Sequence, residues 1–181
     1  MKIKINKEIG ECLLTGIITD TGGFKYQGVS AETFQFVAWL MQSGVNVSNV
    51  YKKALQIKTK SSFELEKIAM NRLEFLEDGK IAFTYITKQD EIDVNAEPGD
   101  HEGIVEKGRD VEGVEVSAFL RQIEDKTYKI SLRANDNVNV SDVAMVFGGG
   151  GHVKAAGCKI NGTPEQIKTT LVKVIKKHIG I

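Results

Sequence analysis

The chain has 181 residues, 41% of them hydrophobic, which is enough for one ordinary domain or two small ones with a core. Its 24 Lys and Arg balance 24 Asp and Glu, whereas a protein that clamps long duplex DNA carries a basic excess, so a nucleic-acid ligand is expected to be short and held locally. No apolar run approaches the ~20 residues that span a bilayer, and the first residues lack the apolar middle of a signal peptide, which predicts a cytoplasmic protein without membrane contact.

Helical apolar patterns dominate the first part of the chain. Residues 8–14 predict a helix, and residues 15–23 then have the Gly, Thr and Asp content of a turn. A clear second helix is predicted from Ser30, which suits an N-cap, to a stop at Gly44. A third helix is predicted over residues 62–76, where apolar residues recur at helical spacing.

The pattern changes near residue 80, where alternating and β-branched residues replace helical spacing. Two strands separated by a short polar turn predict a hairpin, and the last helix has Thr163 as N-cap with Pro164 next and Gln166 completing a capping box. The fold class is therefore α/β: a helical first part, then a lobe with a mixed, mostly antiparallel sheet. The predicted elements of this lobe are strands 80–87, 114–123, 127–133 and 155–160, helix 101–109, and a segment 140–147 that fits helix or strand.

The most distinctive motif is the run Gly148, Gly149, Gly150 and Gly151 followed by His152. Each glycine loses more backbone freedom on folding than another residue, about 0.5–1 kcal/mol relative to alanine, so four in succession need a reason. One reason is a nest of backbone N–H groups that converge on a phosphate, with the imidazole as an added donor. The alternatives are a flexible loop or a tight crossing of two backbones. The small residues that follow favour close packing around a fixed backbone.

A second group of candidates lies in the predicted hairpin. In a strand, Ser131 and Arg133 share one face with Lys129, and a guanidinium on a rigid strand suits bidentate recognition of phosphate. Arg121 on the partner strand has the same potential. The alternative for all of them is a solvated strand face.

Asp20, in the segment Thr-Asp-Thr-Gly, is the candidate metal ligand. One carboxylate does not make a site, because a hard divalent ion requires several oxygen or imidazole ligands. His101 and His178 lack acidic or histidine neighbours at ligand spacing and are predicted to be surface residues. A complete metal centre is therefore not expected from these residues alone.

Two motifs resemble the DHH phosphoesterases. They are TGIITDTG at residues 15–22 and FGGGGHVKAAG at residues 147–157, and segments 113–121 and 131–133 fit the same family. The resemblance covers essentially the whole chain. More narrowly, the chain resembles the bacterial branch of bifunctional oligoribonucleases and 3′-phosphoadenosine 5′-phosphate phosphatases, often labelled exopolyphosphatase-related.

The resemblance implies a catalytic DHH lobe that holds a manganese pair and an associated lobe that binds substrate and closes over it. Residues 1–60 would be the end of the catalytic lobe, residues 61–79 a connecting helix and residues 80–181 the DHH-associated lobe. The implied activity is metal-dependent hydrolysis of short RNA or DNA oligonucleotides or nucleoside phosphates. A homodimer is also implied.

Site residues carry over from the resemblance by position. Asp20 would be the last metal ligand of the catalytic lobe. The substrate phosphate would be held by residues on the glycine loop and on the adjacent hairpin strand, namely Gly148, Gly149, Gly150, Gly151, His152, Ser131 and Arg133.

The chain departs from the family in one large respect, because it contains no Asp-His-His triplet. It is therefore expected to be a fragment that starts just before the last metal-ligand motif and is inactive alone. Two alternatives stay open. The chain is a pure nucleotide-binding or nucleic-acid-binding module, or it belongs to the related cyclic-dinucleotide phosphodiesterases or single-strand exonucleases.

Overall fold

The computed structural model describes residues 5–26, 28–135 and 138–180, and the chain divides into two compact units between Lys58 and Thr59. Within the described ranges, no helix has the length and apolar character needed to cross a bilayer. The first unit is helical, as predicted. Its elements are α1 (Lys7–Asp20), α2 (Ala31–Gln42), α3 (Val47–Tyr51) and a π-helical turn (Lys52–Gln56).

Helix α1 continues through most of the segment 15–23 that was predicted to be a turn. The hydroxyl of Thr15 donates to the Glu11 carbonyl at 2.7 Å, and the hydroxyl of Thr19 donates to the Thr15 carbonyl at 3.0 Å. These bonds satisfy the polar side chains within the helix. The backbone leaves the helix only after Asp20, so the turn was predicted too early.

The core of the first unit lies between α1, α2 and α3. The predicted N-cap of α2 is confirmed, because the Ser30 hydroxyl accepts from the Thr33 N–H and the two residues form a capping box. Several aromatic side chains of α2 remain exposed, including Phe34 at 54%. The buried residues of this core are Leu14, Ile18, Val37, Leu40, Val45 and Val50.

The second unit is built on a sheet that has six strands among the described residues. The strands are β1 (Glu74–Leu76), β2 (Ile81–Ile86), β3 (Val116–Glu124), β4 (Thr127–Ala134), β5 (Gly150–His152) and β6 (Ala155–Asn161). Their order in the sheet is β1-β2-β3-β4-β6-β5. Strands β2 and β3 run parallel, and the other neighbouring pairs run antiparallel, which confirms the mixed, mostly antiparallel sheet.

The helix predicted over residues 62–76 is wrong at its end. Helix α4 (Lys60–Asn71) stops five residues earlier, and Leu76 pairs with Ile81 across the β1–β2 hairpin. The loop between these strands has three successive residues at positive φ, from Glu77 to Gly79. The apolar spacing fits a helix locally, but pairing with the edge of β2 decides the conformation.

Helices cover both faces of the sheet. After α4, the helices of this unit are α5 (Lys88–Asp93), α6 (Ile104–Arg109), α7 (Val140–Val146) and α8 (Pro164–Ile179). Helices α7 and α8 cover one face, where the main core includes Phe83, Ile130, Leu132 and Leu171. On the other face, a smaller core joins residues of α4 and α6 to β2 and β3.

Most predicted elements of this unit are present. The β3–β4 hairpin, β6 and the capping box of α8 at Thr163 are confirmed. The segment 140–147, which fitted helix or strand, is helical. Strand β2 lacks the expected half-exposed alternation, because five of its six residues are buried. A strand in a parallel pair that is covered by helices on both faces has this pattern.

Candidate phosphate-binding site

Strand register places alternate residues of the sheet on one face, in rows that cross the strands. Ser131 on β4 pairs with Gly157 on β6, and Gly157 pairs with Gly150 on β5. We call this the central row. Gly150 and Gly157 have no side chains, so beside Ser131 this row presents only main-chain atoms on the face of the sheet.

Two further rows flank the central row at a spacing of two residues, about 7 Å along the strands. The arginine row contains Arg133, Ala155 and His152. The lysine row contains Arg121, Lys129 and Lys159.

The three rows together form the open face of the sheet. Its residues on β4, β6 and β5 are partly or fully exposed, and so is Arg121 near the end of β3. By contrast, Ser117 and Phe119 on the same face of β3 are buried. The register therefore brings to one face five of the residues predicted from the sequence: Arg121, Ser131, Arg133, Gly150 and His152.

The first two glycines of the run end helix α7. Gly148 has a φ of 70°, and its N–H donates to the Met145 carbonyl at 3.0 Å. The Gly149 N–H donates to the Ala144 carbonyl at 3.0 Å. This is the bonding pattern of a Schellman motif. Both amides are thus used by the protein's own helix. Gly150 and Gly151 lie in β5, and its antiparallel pairing with β6 uses the amides of alternate residues, so the four glycines do not offer a nest of four free amides.

Close packing explains two glycines of the run but not a third. A Cβ at Gly149 would lie 2.2 Å from the Gly157 carbonyl oxygen, and one at Gly151 would lie 2.6 Å from the Ala155 carbonyl oxygen. These two residues fit the alternative of a tight backbone crossing. A Cβ at Gly150 would meet nothing within 4 Å, and its φ lies outside the left-handed region. The fold therefore does not require glycine at position 150.

Carboxylates from the covering helices hold both arginines. The Arg133 Nε donates to Glu106 Oε1 at 2.8 Å, and its Nη1 donates to the Leu132 carbonyl at 3.1 Å. The Arg121 Nε donates to Glu91 Oε1 at 2.6 Å. The sequence did not predict these acidic partners, because no local pattern links α5 and α6 to β3 and β4.

Two of these side chains keep unused polar atoms. Glu106 Oε2 is buried and has no hydrogen-bond partner among the described residues. Likewise, no bond to a described residue uses Nη2 of Arg133. One ionic contact therefore orients Arg133 and Glu106, while Nη2 of Arg133 remains available as a donor and Oε2 of Glu106 as an acceptor.

The two histidines outside the glycine run differ. His178 is exposed, as predicted, and its Nδ1 lies 2.9 Å from the Val174 carbonyl oxygen. His101 is half-buried, so its prediction as a surface residue was wrong. Burial lowers its pKa below the usual 6.5, and the positive charges of Arg121 and Lys129 lower it further, against the opposing effect of Glu91. Two cations of the lysine row, Arg121 and Lys129, thus act on the protonation of His101.

The described residues do not form a metal centre. Across residues 5–26, 28–135 and 138–180, no three His, Cys, Asp or Glu side chains are grouped so that they could hold a metal ion. Asp20 is the last residue of α1 and is exposed. The donor set for the implied manganese pair is thus not present in these ranges.

Comparisons with known proteins agree with this fold. Residues 78–180 match the family described as the DHHA1 domain. The bifunctional oligoribonuclease and PAP phosphatase NrnA of Thermus thermophilus is 34% identical over 155 residues, which are 86% of this chain and 46% of that protein. The A-adding tRNA nucleotidyltransferase of Aquifex aeolicus is 25% identical over 97% of this chain and 21% of its own length.

A solved structure extends the likeness to the whole chain. The exopolyphosphatase-related protein of Bacteroides fragilis superposes with a TM-score of 0.88 and 30% identity, over 96% of this chain and 51% of that one. The chain spans about half the length of the Thermus thermophilus and Bacteroides fragilis proteins. The chain therefore belongs to the DHH phosphoesterase family and carries its DHHA1 domain.

Proposed function

We propose that the open face of the sheet binds a phosphate group of a short oligonucleotide or nucleoside phosphate. In this proposal the chain supplies the substrate-binding part of a phosphoesterase. The proposal rests on the open space beside Gly150. The fold leaves room for a side chain there, so the missing Cβ keeps space for a ligand rather than for the protein's own atoms.

The donors around Gly150 suit an anion. The hydroxyl of Ser131, Nη2 of Arg133 and the imidazole of His152 lie in the central and arginine rows, beside bare backbone. Strands hold functional groups more rigidly than loops do, so these donors lose little freedom on binding. Glu106 offsets part of the Arg133 charge, which favours a specific hydrogen-bonded phosphate over general attraction to anions.

The names of the relatives suggest the ligand class. The Thermus thermophilus protein is named an oligoribonuclease and PAP phosphatase, and both activities cleave phosphoesters of nucleotides. Manganese, which the family resemblance implies, has no ligand cluster among the described residues, and the proposed binding requires no metal. The lack of turnover by this chain alone, the homodimer and the cytoplasmic location remain predictions.

A single added methyl group tests the proposal. We expect Gly150→Ala to fold like the parent chain but to bind adenosine 5′-monophosphate at least about tenfold more weakly, because the methyl group occupies the ligand's space. Isothermal titration calorimetry measures the affinity, and thermal unfolding followed by circular dichroism measures the stability.

Gly16→Ala is the matched control. A Cβ at Gly16 also meets nothing within 4 Å, but this residue lies in α1 of the first unit. Its affinity for the nucleotide should equal that of the parent chain. Equal affinities for all three proteins would contradict phosphate binding at the open face.

A further inference from the structure

Helix α8 and the β1–β2 hairpin border a groove of about 620 Å³, which we call the α8 groove. Pockets that hold ligands typically have volumes of about 300–1,000 Å³. Leu76 and Val172 give the groove an apolar part, and both are partly buried against the main core. The lysines that line the groove are Lys168, Lys173, Lys176 and Lys177. The α8 groove therefore combines apolar surface with a basic border.

Carboxylates of the same unit hold two of these lysines. The ammonium group of Lys168 donates to Glu74 at 2.9 Å and to Glu165 at 2.8 Å. Lys176 forms an ion pair with Glu77 of the hairpin loop. These two positive charges are therefore largely offset within the fold.

The other two lysines are exposed and are not offset in this way. Neither Lys173 nor Lys177 has an ion pair or hydrogen bond with a described residue. They lie four positions apart on α8, so they occupy the same side of the helix, and like charges at this spacing destabilise a helix. The last helical turn favours a positive charge at Lys177, but Lys173 lies before that turn. A local conflict of this kind is typical of a functional site.

Glu77 lines the same groove in an unfavourable backbone conformation. Its φ is 51°, in the left-handed region that glycine and asparagine adopt more readily than glutamate does. Either of those residues would satisfy the turn at lower cost, but neither has a side chain that could form the ion pair with Lys176. Backbone strain clusters at binding and functional sites, which is a second indication that this groove has a role.

We propose that the α8 groove binds an acidic segment of a partner protein. Carboxylates of the segment pair with Lys173 and Lys177, and an apolar side chain of the segment packs against Leu76 and Val172. Binding would relieve the repulsion between the two lysines and remove apolar surface from water. The groove is lined by α8 and the hairpin, so this inference does not depend on the phosphate site of the open face.

The groove suits a peptide better than a nucleic acid. Sites for single-stranded nucleic acids combine basic groups with aromatic surfaces on which bases stack, and arginine is the residue that binds phosphate in a bidentate way. Among the described residues that line the α8 groove, none is aromatic and none is arginine. The Glu77 carboxylate also repels a phosphate backbone, whereas it can accept from a peptide N–H. Charge and apolar surface together therefore favour an acidic, partly apolar peptide.

A labelled peptide tests the proposal on the whole chain. The probe is a fluorescein-labelled hexapeptide with two central leucines flanked by glutamates, and fluorescence anisotropy measures its affinity. We expect a Lys173→Gln, Lys177→Gln double variant to bind it at least about tenfold more weakly than the parent chain. Replacing the leucines of the probe with glutamines should weaken binding to the parent chain at least about fivefold, because the apolar contact is lost.

The matched control removes two exposed lysines from the opposite face of the sheet. Lys129 and Lys159 also have no ion pair with a described residue, so the Lys129→Gln, Lys159→Gln variant carries the same net charge as the test variant. Its affinity for the peptide should equal that of the parent chain. An equal loss in both double variants would show general attraction between charges and would overturn the proposal.

The test also separates the other possible occupants of the groove. Labelled oligouridine and vesicles of phosphatidylglycerol are measured with the same proteins. If one of them binds, if its binding is lost only in the Lys173→Gln, Lys177→Gln variant, and if the peptide does not bind, then a nucleic acid or a lipid surface occupies the groove and the proposal is wrong. The absence of saturable peptide binding to the parent chain overturns it as well.

Discussion

Along β4 and β6, neighbouring residues lie on opposite faces of the sheet and differ sharply in burial. On β4, Ile130 and Leu132 are fully buried beneath α7 and α8, whereas the intervening Ser131 belongs to the open face. On β6, Cys158 is buried, whereas Lys159 is exposed. Because side chains alternate along a strand, neighbouring residues would serve stability and the proposed phosphate binding separately. Substitutions one position apart should therefore have different consequences.

The largest expected effect is on the covered face. Leu132→Ala should lower the free energy of unfolding by about 2–5 kcal/mol, because it removes a fully buried side chain and leaves a cavity. Ser131→Ala, one residue away, should change stability little but weaken nucleotide binding. Urea unfolding and calorimetry measure the two properties. Equal destabilisation by both variants would break the distinction between the faces.

An intermediate effect is expected within the glycine run. Gly149→Ala should lower the free energy of unfolding by about 3 kcal/mol, because the new methyl group would overlap the backbone of Gly157 and the side chain of Cys158. Gly150→Ala should leave the unfolding midpoint unchanged. If both substitutions destabilise the protein alike, the run serves packing throughout, and the special role of position 150 is lost.

The smallest effect is a dependence of stability on pH. The folded protein lowers the pKa of His101, so the unfolded chain binds a proton more readily below the ordinary imidazole pKa of 6.5. Stability from this group is therefore complete above pH 6.5 and declines as the pH falls below it. Urea unfolding over this range should show the decline in the parent chain and a weaker one in His101→Gln. The same slope in both proteins would exclude His101 as its source.

Local sequence signals predicted the helices and strands that begin or end at capping or turn residues. Thr163, Pro164 and Gln166 define the start of α8, and the polar turn between β3 and β4 defines their hairpin. Strand β1 escaped prediction because Leu73, just before it, and Leu76 within it continue the apolar spacing of α4. Its conformation depends on pairing with β2, which the local pattern does not contain.

The residue types of the candidate site could be predicted from the sequence. Which of its glycines cap a helix and which one lies open could not. The sequence showed that the glycine run needed a reason, yet only register separates the capping role of Gly148 from the open position of Gly150. Lys159 escaped notice for the same reason, since its place beside Lys129 depends on the pairing of β4 with β6. Glu106 reaches Arg133 across 27 positions, and composition gives no indication of such a contact.

The ends of the sheet limit how chains can associate through their backbones. Both edge strands, β1 and β5, are only three residues long. Very short edge strands offer few unpaired amides to a strand from another molecule. Growth of the sheet by successive addition of strands, the route to fibrils, is thereby disfavoured even though the glycine-rich edge carries little side-chain bulk to prevent it.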